Sequence, residues 1–198
     1  MAIKITFHPT TESLMGQSHW WGFPDLPLGM DYPGQLTFIG QIRLDEIAHL
    51  DPQGWLPHRG MLWFFAELDY FFGDLDAPCG GTGQWEEGLF KVLYQEDIAQ
   101  LHTHQLYWED GSEAVLPAEG IGFEITHDED FGFKLLGSPA MTEGWEGENE
   151  GLVSLLQLDE EPRWKLNFFD SGTVNFMISV DRLKQRDFSK TNLCLHSL

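Results

Sequence analysis

Apolar residues in this chain come in short runs. Some alternate with polar residues, others continue unbroken for a few positions, and Gly, Pro or Asp closes most of them. Alternation places successive side chains on opposite faces of a strand, and a short unbroken run fits a strand covered on both faces. Strands are therefore expected at Ile3–Phe7, Leu36–Leu44, Met61–Leu68, Leu89–Tyr94, Ile121–Ile125, Phe131–Leu136, Leu152–Leu158, Trp164–Phe168 and Thr173–Val180. Pro52-Gln53-Gly54 and Gly80-Gly81-Thr82-Gly83 are turn chemistry between such runs. Helical signals are few. Asp45–Leu50 fits one or two turns capped by Asp45, and Asp181–Arg186 fits another. A longer helix is expected over Gln95–His102, with Glu96 and Asp97 at its positive end. The pattern predicts an α+β fold, mainly β, with few short helices.

Three landmarks recur in order. Gly22-Phe23-Pro24 reappears as Gly137-Ser138-Pro139, the apolar run ending at Gln41 resembles the run ending at Gln157, and Gly60-Met61-Leu62-Trp63 resembles Gly172-Thr173-Val174-Asn175. Gly tolerates positive φ and Pro fixes its own, so Gly-x-Pro sets a turn. The recurrence predicts two β-rich repeats, approximately 20–95 and 130–190, packed about a pseudo-twofold axis within a single domain spanning 1–198.

These pieces also carry a resemblance. Gly22-Phe23-Pro24-Asp25-Leu26-Pro27 with Tyr32-Pro33, Leu36–Ile42, Leu56–Phe65, Phe90–Tyr94, Lys134–Pro139, Leu155–Asp159, Asp170–Ile178 and Asp187-Phe188-Ser189 form an ordered set. The set resembles the YwqG-like family of bacterial proteins of unknown function. The resemblance implies a duplicated α+β fold and a soluble bacterial protein, and it brings no catalytic residues with it.

Charge narrows the partners. There are 32 Asp plus Glu against 11 Lys plus Arg, a net of −21. Nucleic acid is excluded, because phosphate binding needs clustered Lys and Arg, and so is an anionic membrane surface. No run of apolar residues is long enough to span a bilayer. The opening Met1-Ala2-Ile3-Lys4 alternates like a strand and is unlike a secretion signal. The only two cysteines, Cys79 and Cys194, lie far apart, which fits reduced thiols and a cytoplasmic location. A basic protein partner suits the balance.

Four groups of residues could carry function. Gln41 and Gln157 interrupt apolar runs, and a buried amide must find partners. They tie down loops, or with Trp21 and Trp63 they line a cleft between the repeats that takes a sugar or peptide. Asp69, Asp74 and Asp76 beside Tyr70-Phe71-Phe72 pair carboxylates with aromatics, the chemistry of sugar hydrolysis, or form an acidic turn after a core strand. Glu143, Glu146, Glu148 and Glu150 make an acidic loop, solvated or facing a basic partner. His102, His104 and Asp128 would suit a divalent metal, since His-x-His on a strand aims both rings to one side. No cofactor is otherwise expected. The function that best fits is a non-enzymatic protein-binding module with an acidic surface, immunity- or antitoxin-like; a ligand-binding cleft or enzyme is the alternative, and a metal protein the third.

Overall fold

The computed structural model describes residues 1–141 and 151–197. The acidic stretch Glu143, Glu146, Glu148 and Glu150 lies outside the described residues. Two long antiparallel strands, β1 (Ala2–Pro9) and β9 (Glu119–Thr126), run side by side in full register from Ala2 opposite Thr126 to Pro9 opposite Glu119. Beyond β9 follow β2 (His19–Trp20), β4 (Thr37–Arg43), β5 (Met61–Ala66) and β7 (Phe90–Gln95). Beyond β1 follow β10 (Lys134–Leu135), β11 (Leu152–Leu158), β12 (Thr173–Ser179), β13 (Asn192–His196) and β6 (Gly83–Gln84). A separate two-stranded ribbon joins β3 (Asp25–Pro27) to β8 (Leu101–Thr103). Among the described residues, helix is confined to α1 (Leu44–Ile47), α2 (Val180–Lys184) and single 3-10 turns. The fold is mainly β, and no described helix is long and apolar enough to cross a membrane.

The large sheet curls. Phe64 of β5 meets Phe176 of β12 with ring centroids 5.3 Å apart, Phe90 reaches the same ring at 6.4 Å, and Tyr94 packs on Phe188 at 5.1 Å. Strands far apart in the sheet thus face each other across one core. β5 is buried along its whole length, and period two sorts it. Leu62, Phe64 and Ala66 enter the large core, while Met61, Trp63 and Phe65 form a smaller one with Leu26 and Phe38. On β1, Ile3 and Ile5 are buried and Lys4 and Thr6 exposed, the alternation of a strand with one dry face.

Three expectations need correction. Gln95–His102 is not a helix: β7 runs to Gln95 and Leu101–Thr103 is strand β8. Its acids do other work. Asp97 accepts the Ala99 N–H at 3.0 Å in a local turn, and Glu96 is held by Arg59 and by Arg186 at 2.7 Å. Trp164–Phe168 is not a strand. Pro162 starts a 3-10 turn through Trp164, the Glu161 side chain accepts the Arg163 N–H at 3.0 Å, and Lys165 and Phe169 have left-handed φ of 58° and 67°. Phe131–Leu136 shrinks to Lys134–Leu135, and β13 is a strand the pattern did not single out.

Phe176 closes the curled sheet, so Phe176→Ala should lower the unfolding free energy in urea by about 3–5 kcal/mol. Lys4→Ala, on the exposed face of β1, should stay within roughly 0.5 kcal/mol of the parent.

Candidate functional site

Gln41 and Gln157 are fully buried and saturated with hydrogen bonds. The Gln41 Oε1 accepts the Asp25 N–H at 2.9 Å, and its Nε2 donates to the Gln17 carbonyl at 2.9 Å and Asp25 Oδ2 at 3.0 Å. The Gln157 Oε1 accepts the Ala140 N–H at 2.8 Å, and its Nε2 donates to the Gly132 carbonyl at 2.8 Å and the Asp130 carbonyl at 3.3 Å. Each amide grips the residue that follows a Gly-x-Pro turn. Both turns enter through positive φ, at Trp21 and Gly22 and at Leu136 and Gly137. Trp63 is likewise a core group, its Nε1 donating to the Asp25 carbonyl at 2.9 Å.

Beside each glutamine sits a buried basic group. His19, paired with Gln41 across the strands, bonds the Trp21 carbonyl through Nδ1 at 2.9 Å and lies 3.8 Å from Asp25. Burial holds its pKa below the usual imidazole value despite Asp25. Lys134, paired with Gln157, donates to the carbonyls of Asp128 and Asp130, and burial pulls its pKa down to about 8.

The residues proposed for metal are dispersed. His102 is exposed on β8, and His104 stacks on Tyr32 at 5.1 Å. Asp128 pairs with the Met1 amino group beside β1. Among the described residues no three His, Cys, Asp or Glu side chains are placed to share an ion. Asp69, Asp74 and Asp76 form a turn: a 3-10 turn over Asp69–Phe72 ends at Gly73, and Asp74 accepts the Asp76 N–H at 3.1 Å. Cys79 is exposed and Cys194 buried, and neither is in a disulfide among the described residues.

A larger and a smaller cavity lie elsewhere, and the larger takes in the Thr37-Phe38 end of β4. It encloses about 720 Å³ and is lined by segments around Trp21, Tyr32–Phe38, Asp69, Phe72, Leu106–Leu116 and Trp164. Seven of its lining residues are Trp, Tyr or Phe, and its charged residues are Asp69, Glu113 and Lys165. Trp21 stands edge-on to Phe72 at 5.7 Å and to Trp164 at 5.3 Å, which makes a corner of near-perpendicular rings. Tyr32 donates its hydroxyl to the Leu36 carbonyl at 2.5 Å, and burial pushes its pKa up to about 12. A smaller cavity of about 390 Å³ shares Gly34, Gln35 and Leu36 with the first and adds Glu67, Phe90 and Lys91.

The rim is a small hairpin. Trp108 N–H donates to the Ser112 carbonyl at 2.8 Å and Ala114 N–H to the Leu106 carbonyl at 2.9 Å, so Tyr107 and Glu113 face each other across it. Its stems rest on the first Gly-x-Pro turn. His104 N–H donates to the Pro24 carbonyl at 2.8 Å, and Gly22 N–H to the Leu116 carbonyl at 2.9 Å. Gly22 is required there, because a Cβ would stand 2.6 Å from that of Ala118. Trp108 is left 61% exposed and Tyr107 51%.

Two carboxylates of this cleft keep acceptor capacity. Asp69 Oδ1 accepts the Thr37 hydroxyl at 3.1 Å, while Oδ2 has no hydrogen-bond partner among the described residues. Glu113 uses neither side-chain oxygen among them. Of the residues singled out from sequence, Trp21, Asp69 and Phe72 meet here. Tyr107, Glu113 and Trp164 did not stand out as site residues; the run Leu106-Tyr107-Trp108, apolar with no strand partner in the pattern, was the available signal.

A family model described as a domain of unknown function, DUF1963, matches residues 18–196. The chain belongs to that family. No curated protein matches it. The DUF1963 match begins just before β2 and ends on β13, so it takes in every residue that lines the cavity.

Gln41→Leu and Gln157→Leu should each lower stability by at least about 2 kcal/mol in urea titrations, because each strands buried backbone groups. Acid should act through the imidazoles. His196 has its pKa lowered by burial from 6.5 to about 4, and that of His19 is lowered too. As pH falls below 6.5 the unfolded chain takes up protons that the folded chain refuses, so stability drops. The melting temperature of His196→Gln should fall less steeply than that of the parent over this range.

Proposed function

We propose that this protein is a non-enzymatic binding module and that the cleft beneath Trp108 receives a basic segment of a protein partner. One observation carries the reading: an aromatic cleft in which Asp69 and Glu113 keep unpaired acceptor oxygens. Aromatic walls favour cations through their ring faces, and a carboxylate fixes where the cation sits. The net charge of −21 speeds the arrival of a positive partner. Glu143, Glu146, Glu148 and Glu150 belong to the same reading as further acidic contacts. An immunity-like role against a basic toxin is one form of it, by analogy only. Cys79 and Cys194 form no disulfide among the described residues, which fits a cytoplasmic setting.

A second reading has its own support. Exposed Trp108 and Tyr107 beside carboxylates also suit a sugar ring stacked at the rim.

We further read the two halves as copies of one unit, as the likeness to YwqG-like proteins implies. The support is local and repeated. Both glutamines hold the residue after a Gly-x-Pro turn, both β4 and β11 carry a register shift just before the glutamine, and Gly60 and Gly172 both stand where a Cβ would strike the neighbouring strand's carbonyl.

Tryptophan fluorescence titrated with tetralysine and tetra-arginine tests the proposal. Saturable binding that weakens with added salt and in Asp69→Asn is the expected result. No binding of either peptide at low salt overturns it, and binding of neutral oligosaccharides instead would favour the second reading.

A further inference from the structure

We infer that the cleft selects arginine over lysine, gripping the guanidinium of one arginine side chain in an extended segment of the partner. This rests on the reading of the cleft as a basic-segment site. A guanidinium is flat: its face lies on an aromatic ring while its N–H groups point outward in the ring's plane to acceptors. An ammonium has no such face, and it keeps a tight hydration shell that an aromatic cavity cannot replace.

The cleft offers both parts at once. Aromatic rings come from Trp108, Tyr107 and Phe72, which line the cleft, and the acceptors from two different segments, Asp69 Oδ2 on the 3-10 turn and Glu113 on the hairpin. The protein already contains one such arrangement on the wall of the same cavity. The guanidinium of Arg163 stands over the Trp164 ring, 5.3 Å from its centroid, and donates to Glu119 and Glu161 at 3.4 Å each. Glu119 also accepts the Trp164 Nε1–H at 2.7 Å, which fixes the ring for the stack. An incoming arginine would repeat this chemistry on the rings that Arg163 does not use.

The source is a peptide rather than free arginine. The adjoining cavity opens at Gly34, Gln35 and Leu36 and is lined by Phe90, Glu67 and Lys91, so residues flanking the arginine have somewhere to lie. Mixed charge there, Glu67 against Lys91, asks for no second cation.

Calorimetric titration of the intact protein with Ac-Ala-Ala-Arg-Ala-Ala-amide, its lysine and citrulline counterparts, and acetyl-arginine amide tests this. The arginine peptide should bind about tenfold tighter than the lysine peptide, and the citrulline peptide weakest, since it keeps the planar shape but loses the charge. Trp108→Ala and Glu113→Gln, both at exposed positions, should each weaken the arginine peptide roughly three- to tenfold and narrow its margin over lysine. Circular dichroism of both variants should match the parent. Equal affinity for the arginine and lysine peptides overturns the inference and leaves the basic-segment site intact. No binding of either at low salt removes both. Acetyl-arginine amide binding as tightly as the peptide overturns the peptide source and assigns the site to a small guanidinium ligand.

Discussion

One buried carboxylate organises the first half of the molecule. Asp25 uses every polar atom it has. Its N–H donates to Gln41 and its carbonyl accepts from Trp63. Oδ1 accepts the Thr103 hydroxyl at 2.8 Å, and Oδ2 accepts the Gly16 N–H at 2.8 Å as well as the Gln41 amide. A buried charge is tolerated only when it is fully bonded, and here the bonding doubles as construction. It fixes β3 against β4 and β5 and holds β8 on β3. From β8 the chain runs straight into the hairpin that rims the cleft. The second half solves the same problem differently. Among the described residues Gln157 bonds only backbone groups, the Ala140 N–H and the Gly132 and Asp130 carbonyls, and Lys134 donates to the Asp130 carbonyl beside it.

Legibility in the sequence followed how local the physics was. The unbroken run of β5 announced a strand dry on both faces, and its two cores bear that out residue by residue. Gln41 and Gln157 could be recognised as amides that apolar surroundings would force into bonds, but not the backbone groups they would hold. The failures came where side chains had rival uses. Glu96 looked like a helix-opening acid and is the anchor of two arginines. Trp164 looked like the start of a strand and is the end of a 3-10 turn set by Pro162. The cleft was hidden for a further reason. Its walls come from separate loops that only the curl of the sheet brings together, and loops carry no periodic signal.

The charge map gains meaning from the same contacts. Residues 1–160 hold 5 basic and 28 acidic groups, a net of −23, and residues 161–198 hold 6 and 4, a net of +2. The basic end meets the acidic body at a defined place. Arg186 bonds Glu96 at the end of β7, and Phe188 packs on Tyr94 beside it. An exposed ion pair contributes little by itself. Its aromatic neighbour supplies the burial, and the pair sets the orientation.

Both stems of the rim hairpin are tied to the same three residues, Gly22 to Pro24, and Gln41 holds the next one, Asp25. The tip, from Tyr107 to Glu113, bonds mostly to itself. Under the proposed function, recognition and folding are therefore written in different stretches of chain. Relatives could exchange the tip wholesale, altering what they recognise while keeping the scaffold untouched. The turns and the two glutamines carry the architecture, and the rim tip can vary without disturbing either.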